Sequence, residues 1–207
     1  MEKPPYHHII KDGKLFAFRN PEGGPQRDPN FKWNWKVFRE EKKKLEINYP
    51  PEHVIDKQIV LKNLQKHKSD SYVMWIDHAS FIIKLGNTTI ITDPVFEKNY
   101  GPLWFGPKKY IESPLSLKEI PKMDLFLLTH NHYDHMSIRT IKNFPDKNIK
   151  VLVPLKLKKY FTRNGYKKDN VREMDWFDKI KINNEISVTM LPAQHWSKRW
   201  IWGDGNT

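Results

Sequence analysis

The chain contains no cysteine. Disulfides and thiolate metal ligands are therefore excluded, while the redox compartment stays open, because cytosolic and exported proteins can both lack cysteine. No apolar run approaches the ~18 residues that a bilayer-spanning helix needs. The N-terminus, Met1-Glu2-Lys3-Pro4-Pro5-Tyr6-His7-His8, lacks the apolar stretch of a secretory signal. The expected location is accordingly cytoplasmic or peripheral on a membrane. Acidic residues are the minority: 24 Asp and Glu stand against 36 Lys and Arg, a formal net charge of +12. Lysine is densest at Lys42-Lys43-Lys44, Lys108-Lys109, Lys156 to Lys159 and Lys167-Lys168. Such a balance favours phosphoesters, nucleic acid or an anionic membrane surface, and the competing reading is a solvated, lysine-biased surface.

What is present is enough for a proper core. The chain has 207 residues, 38% of them hydrophobic, with eight Trp, eight Tyr and eleven Phe. That length suits one domain, and the aromatics supply large surfaces to bury. Residues 1–35 are rich in Pro, Gly, Asn and Asp and read as an irregular surface arm anchored by Phe31, Trp33 and Trp35, with His7 and His8 exposed bystanders. Residues 36–50 are a charged helix candidate ending before Pro50-Pro51, and residues 52–68 read as loop or weak helix. The expected division is an N-terminal arm and short helix packed on the core (1–70) and a metal-binding domain (71–207). Within the latter, Tyr72–Ile76, Ser80–Leu85 and Thr88–Thr92 read as successive strands, the last two joined by Gly86-Asn87. Residues 97–120 form a long Gly-, Pro- and aromatic-rich loop that includes Trp104 and Phe105, and a loop of this length is often functional.

The chemistry is concentrated in His130-Asn131-His132-Tyr133-Asp134-His135. The run follows Asp124-Leu125-Phe126-Leu127-Leu128-Thr129, an apolar strand, and precedes the first turns of a helix at Met136 to Ile141. Imidazole and carboxylate are good ligands for borderline divalent metals. Ring nitrogens at i and i+2 on an extended segment face one side, so His130 and His132 can share one metal. The chain then turns and presents Asp134 and His135 to a neighbouring point. A hydrolase of this kind holds two metals about 3.5–4 Å apart. A helix cap needs one polar residue rather than four, and structural zinc usually prefers cysteine. His195, just past the strand Ile186–Leu191, is the candidate third ligand for the first metal.

With these residues in place the chain resembles the metallo-β-lactamase superfamily, whose hallmark is a His-x-His-x-Asp-His loop after an apolar strand. Further stretches make it similar to the branch containing N-acylphosphatidylethanolamine-hydrolysing phospholipase D and lactonase-like proteins. They are Trp75-Ile76-Asp77-His78-Ala79-Ser80, Thr92-Asp93-Pro94-Val95-Phe96, Gly106-Pro107-Lys108-Lys109 and Pro192-Ala193-Gln194-His195-Trp196-Ser197-Lys198-Arg199. The resemblance implies an α/β fold, a four-layer αβ/βα sandwich, with two zinc ions at its top. It assigns His130, His132 and His195 to the first metal and Asp134 and His135 to the second. Asp93 falls where the family places a carboxylate that orients a ligand imidazole through its free N–H. His78 lies near the site, in either an orienting or a structural role.

Two departures are visible. The family pattern usually has glycine where this chain has Asp77, so an aspartate there is expected to strain the backbone or add charge near the metals. The family also supplies a later aspartate bridging both metals and a last histidine on the second. Both fall beyond Trp202-Gly203-Asp204-Gly205-Asn206-Thr207, and Asp204 comes too early to be the bridge. The expectation is a sandwich lacking the C-terminal part of its second half.

The implied activity is metal-assisted hydrolysis: two zinc ions lower the pKa of a water to near 7, and the hydroxide attacks phosphorus or a lactone carbonyl. Asp134 is the expected catalytic carboxylate, orienting that nucleophile. Lys198 and Arg199 either face a substrate phosphate or are solvated cations. The leading reading is a phosphodiesterase acting on a lipid or another anionic ester, with membrane-surface contact. Its rivals are a lactonase, a nuclease-type hydrolase and a fragment inactive without a complementing C-terminal chain. Nucleic acid is disfavoured as a partner, because no aromatic-basic stacking module is evident.

Overall fold

The computed structural model describes residues 4–24, 34, 36, 37, 40, 50–101, 106–195 and 199. Its centre is a six-stranded mixed sheet of β3 (Tyr72–Asp77), β4 (Ser80–Leu85), β5 (Thr88–Thr92), β6 (Leu125–Leu127), β7 (Lys150–Pro154) and β8 (Val171–Met174), paired in that order. β3, β4 and β5 are antiparallel neighbours. The β4–β5 turn is the expected two-residue turn with glycine first, and Gly86 takes φ +54° there. β5 through β8 run parallel, so each crossover must traverse a face of the sheet. Between β6 and β7 the crossover carries α2 (Ile138–Asn143); between β7 and β8 it carries α3 (Lys158–Thr162). The β5-to-β6 connection holds the long loop, in which a β-bridge pairs Asn99 with Lys108.

Period-two alternation divides the sheet into two apolar faces. Phe126, Val151, Val153, Ile82 and Ile91 point to the helix side, where they meet Ile141, Phe144, Leu157 and Phe161. Phe126 is 1% exposed, and its ring meets Phe144 at 5.4 Å and Phe161 at 5.1 Å, both edge to face. Truncating such a buried phenylalanine to alanine costs about 3–5 kcal/mol. Ile90, Leu125, Leu152 and Met174 line the opposite face. The hairpin of β9 (Lys179–Lys181) and β10 (Ser187–Thr189) covers them through Ile180, Ile182, Val188 and Met190. Among the described residues this hairpin is a separate two-stranded sheet.

The N-terminal region departs from the irregular arm expected of it. β1 (His8–Lys11) and β2 (Lys14–Phe18) form an antiparallel hairpin. The turn is Asp12-Gly13, with φ +50° and +71°, the left-handed pair that a two-residue turn between twisted strands requires. That dipeptide was the available signal, and the surrounding Pro and Asn obscured it. His7 and His8 are not exposed bystanders either: His7 is 8% exposed, and both rings face Asp175. The anchors Phe31, Trp33 and Trp35, and most of the 36–50 helix candidate, lie outside the described residues, as do Trp104, Phe105, Lys198 and Asp204. Residues 57–66, read as loop or weak helix, form α1 (Lys57–Lys66), whose N-cap Asp56 accepts from Gln58 N–H at 2.8 Å. No helix among the described residues is long and apolar enough to cross a membrane.

Candidate metal centre

The site gathers where parallel strands end. Thr92 and Leu127 are register partners at the ends of β5 and β6. The next residues, Asp93 and Leu128 to His130, therefore emerge side by side. Asp93 turns sharply at φ +40°, a left-handed conformation that aspartate tolerates better than most side chains. Its backbone N–H donates to Leu127 O at 3.0 Å, so strand pairing continues into the turn.

Both carboxylate oxygens of Asp93, a residue 2% exposed, are engaged. Oδ1 accepts from Thr129 N–H at 2.7 Å. Oδ2 accepts from the Thr129 hydroxyl at 2.6 Å and lies 2.8 Å from His135 Nδ1. Because an ionised carboxylate only accepts, His135 carries its proton on Nδ1 and keeps the Nε2 lone pair free. The Thr129 hydroxyl spends its hydrogen on Asp93 and sits 2.9 Å from His130 Nδ1. His130 Nδ1–H then donates to Thr129, which again leaves Nε2 as the lone-pair nitrogen. One carboxylate thus sets the tautomer of two imidazoles.

The structure brings His130, His132 and His195 together. His130 Nε2 is 3.1 Å from His132 Nδ1, and His195 Nε2 is 3.1 and 3.2 Å from these atoms. With metal–nitrogen bonds of about 2.0–2.1 Å, such separations subtend about 100° at a common centre, close to tetrahedral. The donor set therefore fits a borderline divalent cation. Burial, followed by the neighbouring imidazoles of His135, His132, His195 and His78, pushes His130 down to about 2. Burial also leads for His132, pushed down to about 4 by it together with His195 and His135, against an upward pull from Asp134. Both rings are neutral at pH 7, the state a metal requires.

A second group of donors, His78, Asp134 and His135, lies alongside, with its ligand atoms all within 4.8 Å of one another. His78 Nε2 is 2.9 Å from Asp134 Oδ2. His78 occupies the β3–β4 turn at φ +38°, and from there its ring reaches Asp134. Asp134 and His135 came from the sequence pattern, and His78, expected near the site in an orienting or structural role, is the third member of this group.

The Asp77 departure has a physical resolution. Asp77 keeps a negative φ, and the left-handed residue is its neighbour His78. The expected strain at position 77 is thus absent. Its carboxylate is neutralised by Lys109, which reaches in from the long loop to contact Asp77 Oδ2 and the Val95 carbonyl. Tyr100, from the same loop, directs its hydroxyl at Asp77 Oδ1 from 3.4 Å and packs 5.4 Å from the His78 ring. Burial, then the Asp77 and Asp134 carboxylates, push the Tyr100 hydroxyl up, so it stays protonated. Arg199 does not face outward to a substrate. Its Nη1 donates to Asn131 O at 3.0 Å and Met136 O at 2.5 Å, and its guanidinium lies 4.3 Å over the Tyr133 ring. It braces the ligand loop from behind. Sequence reasoning gave no role to Thr129, Tyr100 or Lys109 and missed this bracing role; the anomalous Asp77 and the family-like stretch Gly106-Pro107-Lys108-Lys109 were the signals that a cation had to be near.

The family model described as a Beta-lactamase superfamily domain matches residues 88–207. The chain belongs to the metallo-β-lactamase superfamily. Its α/β fold is that of this superfamily. The chain is 30% identical over 210 residues to N-acyl-phosphatidylethanolamine-hydrolyzing phospholipase D 1 of Caenorhabditis elegans, covering 93% of this chain and 57% of that protein. It is 34% identical over 136 residues to the mitochondrial N-acyl-phosphatidylethanolamine-hydrolyzing phospholipase D of Saccharomyces cerevisiae, covering 64% of this chain and 29% of that protein. The chain therefore spans about half or less of the length of these relatives. Among solved structures, it is similar to a protein described as a possible metal-dependent hydrolase from Veillonella parvula, with a TM-score of 0.46 and 23% identity over 56% of this chain and 45% of that one.

Proposed function

We propose that the chain carries the metal centre of a zinc-dependent hydrolase acting on an anionic phosphodiester, of the N-acylphosphatidylethanolamine phospholipase D type. The observation that carries this reading is the convergence of the His130, His132 and His195 nitrogens on one point beside the His78, Asp134 and His135 donors. The activities for which the nematode and yeast relatives are named support the substrate class. The +12 charge suits an anionic ester.

In this reading His130, His132 and His195 hold the first zinc, and Asp134 and His135 hold the second with His78 beside them. When bound, the metals supply Lewis acidity to a water and stabilise developing negative charge. The chain's own groups do the rest. Asp93 fixes His135 directly and His130 through Thr129, so that lone pairs rather than protons face the centre. Asp134 is the catalytic carboxylate: it offers an acceptor oxygen for a proton of the attacking water, and His78 Nε2 orients it. The Tyr100 hydroxyl and the Asp77–Lys109 pair hold the long loop against the site without adding net charge. The lipid ester would approach from a membrane surface.

The test is elemental analysis of the purified chain combined with turnover of an N-acylphosphatidylethanolamine, a simple phosphodiester and a lactone. The expected result is zinc in the chain and release of phosphatidic acid at a rate that His132→Ala and Asp134→Ala abolish. Lactone turnover without phosphodiester turnover would reassign the substrate. Metal-free chain after zinc loading would end the proposal.

A further inference from the structure

The N-terminal hairpin carries another group of metal-type donors, apart in sequence from the cluster at 130–135. Adjacent residues of an ideal strand point to opposite faces. His7 precedes β1 in a turn, however, so its ring and that of His8 swing to the same carboxylate. His7 Nε2 lies 2.6 Å from Asp175 Oδ1, and His8 Nε2 lies 2.8 Å from Asp175 Oδ2. The two rings meet at 4.4 Å, edge to face. Trp176 stacks on His7 at 4.1 Å, and Phe18 closes the other side at 6.5 Å from His7 and 5.7 Å from His8. The two imidazoles are 10% and 14% exposed.

An ordinary ion pair does not account for all of this. The His7–Asp175 contact is a hydrogen bond. His8 Nε2 is buried and close to its oxygen, yet it makes no hydrogen bond. A buried ring nitrogen left in that state is costly. A cation between nitrogen and carboxylate removes the cost, because it binds the lone pair and needs no N–H alignment. Two imidazoles and one carboxylate are donors for zinc, nickel or copper, and the aromatic walls exclude water. Burial pushes the Asp175 carboxyl up, but the His7 hydrogen bond, the Trp176 N–H and the two imidazoles outweigh it and hold the group below its ordinary value.

We propose that His7, His8 and Asp175 form a separate site for a borderline divalent cation of the zinc class, which staples the N-terminal hairpin to the core. The staple joins residues 168 positions apart. Metal–ligand bonds of about 2.0–2.2 Å put tetrahedral donors roughly 3.3 Å apart, so the nitrogen–oxygen gaps of 2.6 Å at His7 and 2.8 Å at His8 both widen on loading, the His7 gap the more. The same hairpin leads to Asn20, whose Oδ1 accepts from His195 N–H at 3.1 Å, so the staple also steadies the segment carrying His195.

The test uses the full chain with the other centre disabled by His132→Ala and Asp134→Ala. Zinc is titrated by calorimetry and counted after dialysis. One retained equivalent is expected, and His8→Ala or Asp175→Asn added to that background should remove it. His8→Gln keeps a hydrogen-bonding group towards Asp175 and guards against a merely unfolded variant; it should keep its circular dichroism and lose the zinc. In the unmutated chain, ring nitrogen resonances of His7 and His8 should shift on zinc addition. No retained equivalent, an equivalent that survives both His8→Ala and Asp175→Asn, or unmoved His7 and His8 resonances would each overturn the proposal.

Discussion

Replacing Lys109 by methionine isolates the buried charge at Asp77. The lysine and aspartate side chains are 3% and 2% exposed, so neither ion is hydrated. Methionine preserves most of the aliphatic stem and removes the ammonium. Among the described residues Asp77 then keeps the Tyr100 hydroxyl at 3.4 Å, too long to compensate a charge. Stranding one member of a buried ion pair costs about 3–5 kcal/mol. For a chain of this size each kcal/mol lowers the midpoint by roughly 2–4 °C, so Lys109→Met should melt about 6–20 °C below the parent. The assay is thermal and urea unfolding with the metal removed by chelator, which keeps ligand binding out of the comparison. The double variant Asp77→Asn, Lys109→Met carries no buried charge and should recover most of the loss, because a neutral amide is far cheaper to bury than an unpaired ion. A Lys109→Met midpoint within about 2 °C of the parent, or a double variant as unstable as the single one, would refute the pairing on the scale used here.

Asp93→Asn should weaken zinc affinity about 10–100-fold while every direct donor is retained, because the amide cannot hold the protons of both Thr129 and His135 in place; competition against a chromophoric chelator measures it, and unchanged affinity would refute the orienting role. Acid should destabilise the metal-free chain. His130 and His132 are held at about 2 and about 4 when folded, against about 6.5 unfolded. The unfolded chain therefore takes up protons that the folded chain refuses, stability is complete above about pH 6.5, and it falls on acidification by at most about 1.4 kcal/mol per pH unit per ring. His132 stops contributing to that slope below about pH 4, and urea midpoints that rise between pH 7 and pH 5 would contradict the assignment. Arg199→Lys should not replace arginine, since an ammonium lacks the planar fork that reaches both Asn131 O and Met136 O; faster hydrogen exchange across residues 131–136 is expected, and unchanged protection would remove Arg199 from the loop's support.

The parts legible in the sequence were those with a local signal. Ser80–Leu85 and Thr88–Thr92 carry β-branched residues around a Gly86-Asn87 turn, and the observed strands have the same bounds. Leu125–Leu127 announced itself as an apolar run before the histidines. His195 was placed by the need for a third nitrogen, and its ring stands beside those of His130 and His132. What stayed hidden depends on distant partners. His7 and His8 look like surface residues until Asp175 arrives from the other end of the chain. Lys109 looks like one solvated lysine among many until the fold brings it to Asp77. α1 was obscure for another reason: its apolar stripe is short, Val60, Leu61 and Leu64 among polar residues, and of its ten residues only Val60 is buried.

Two non-glycine residues at the site, His78 and Asp93, occupy left-handed conformations, at φ +38° and +40°. Each costs of order 1–3 kcal/mol and persists only because its surroundings over-determine it. For Asp93 those surroundings are three donors from the ligand loop. For His78 they are the turn between paired strands, the Asp134 carboxylate and the Tyr100 ring. The same contacts that hold the backbone in these conformations aim the donors. Fold stability and metal affinity are therefore linked: a metal bound only to the folded chain, at 100 times its dissociation constant, returns about 2.7 kcal/mol, comparable to the strain. Glycine at position 78 should accordingly relax the turn and stabilise the metal-free chain. It should also lower affinity at the Asp134–His135 group. A His78→Gly chain that gained stability and bound metal as tightly as the parent would separate the two effects and show that the turn conformation serves only the fold.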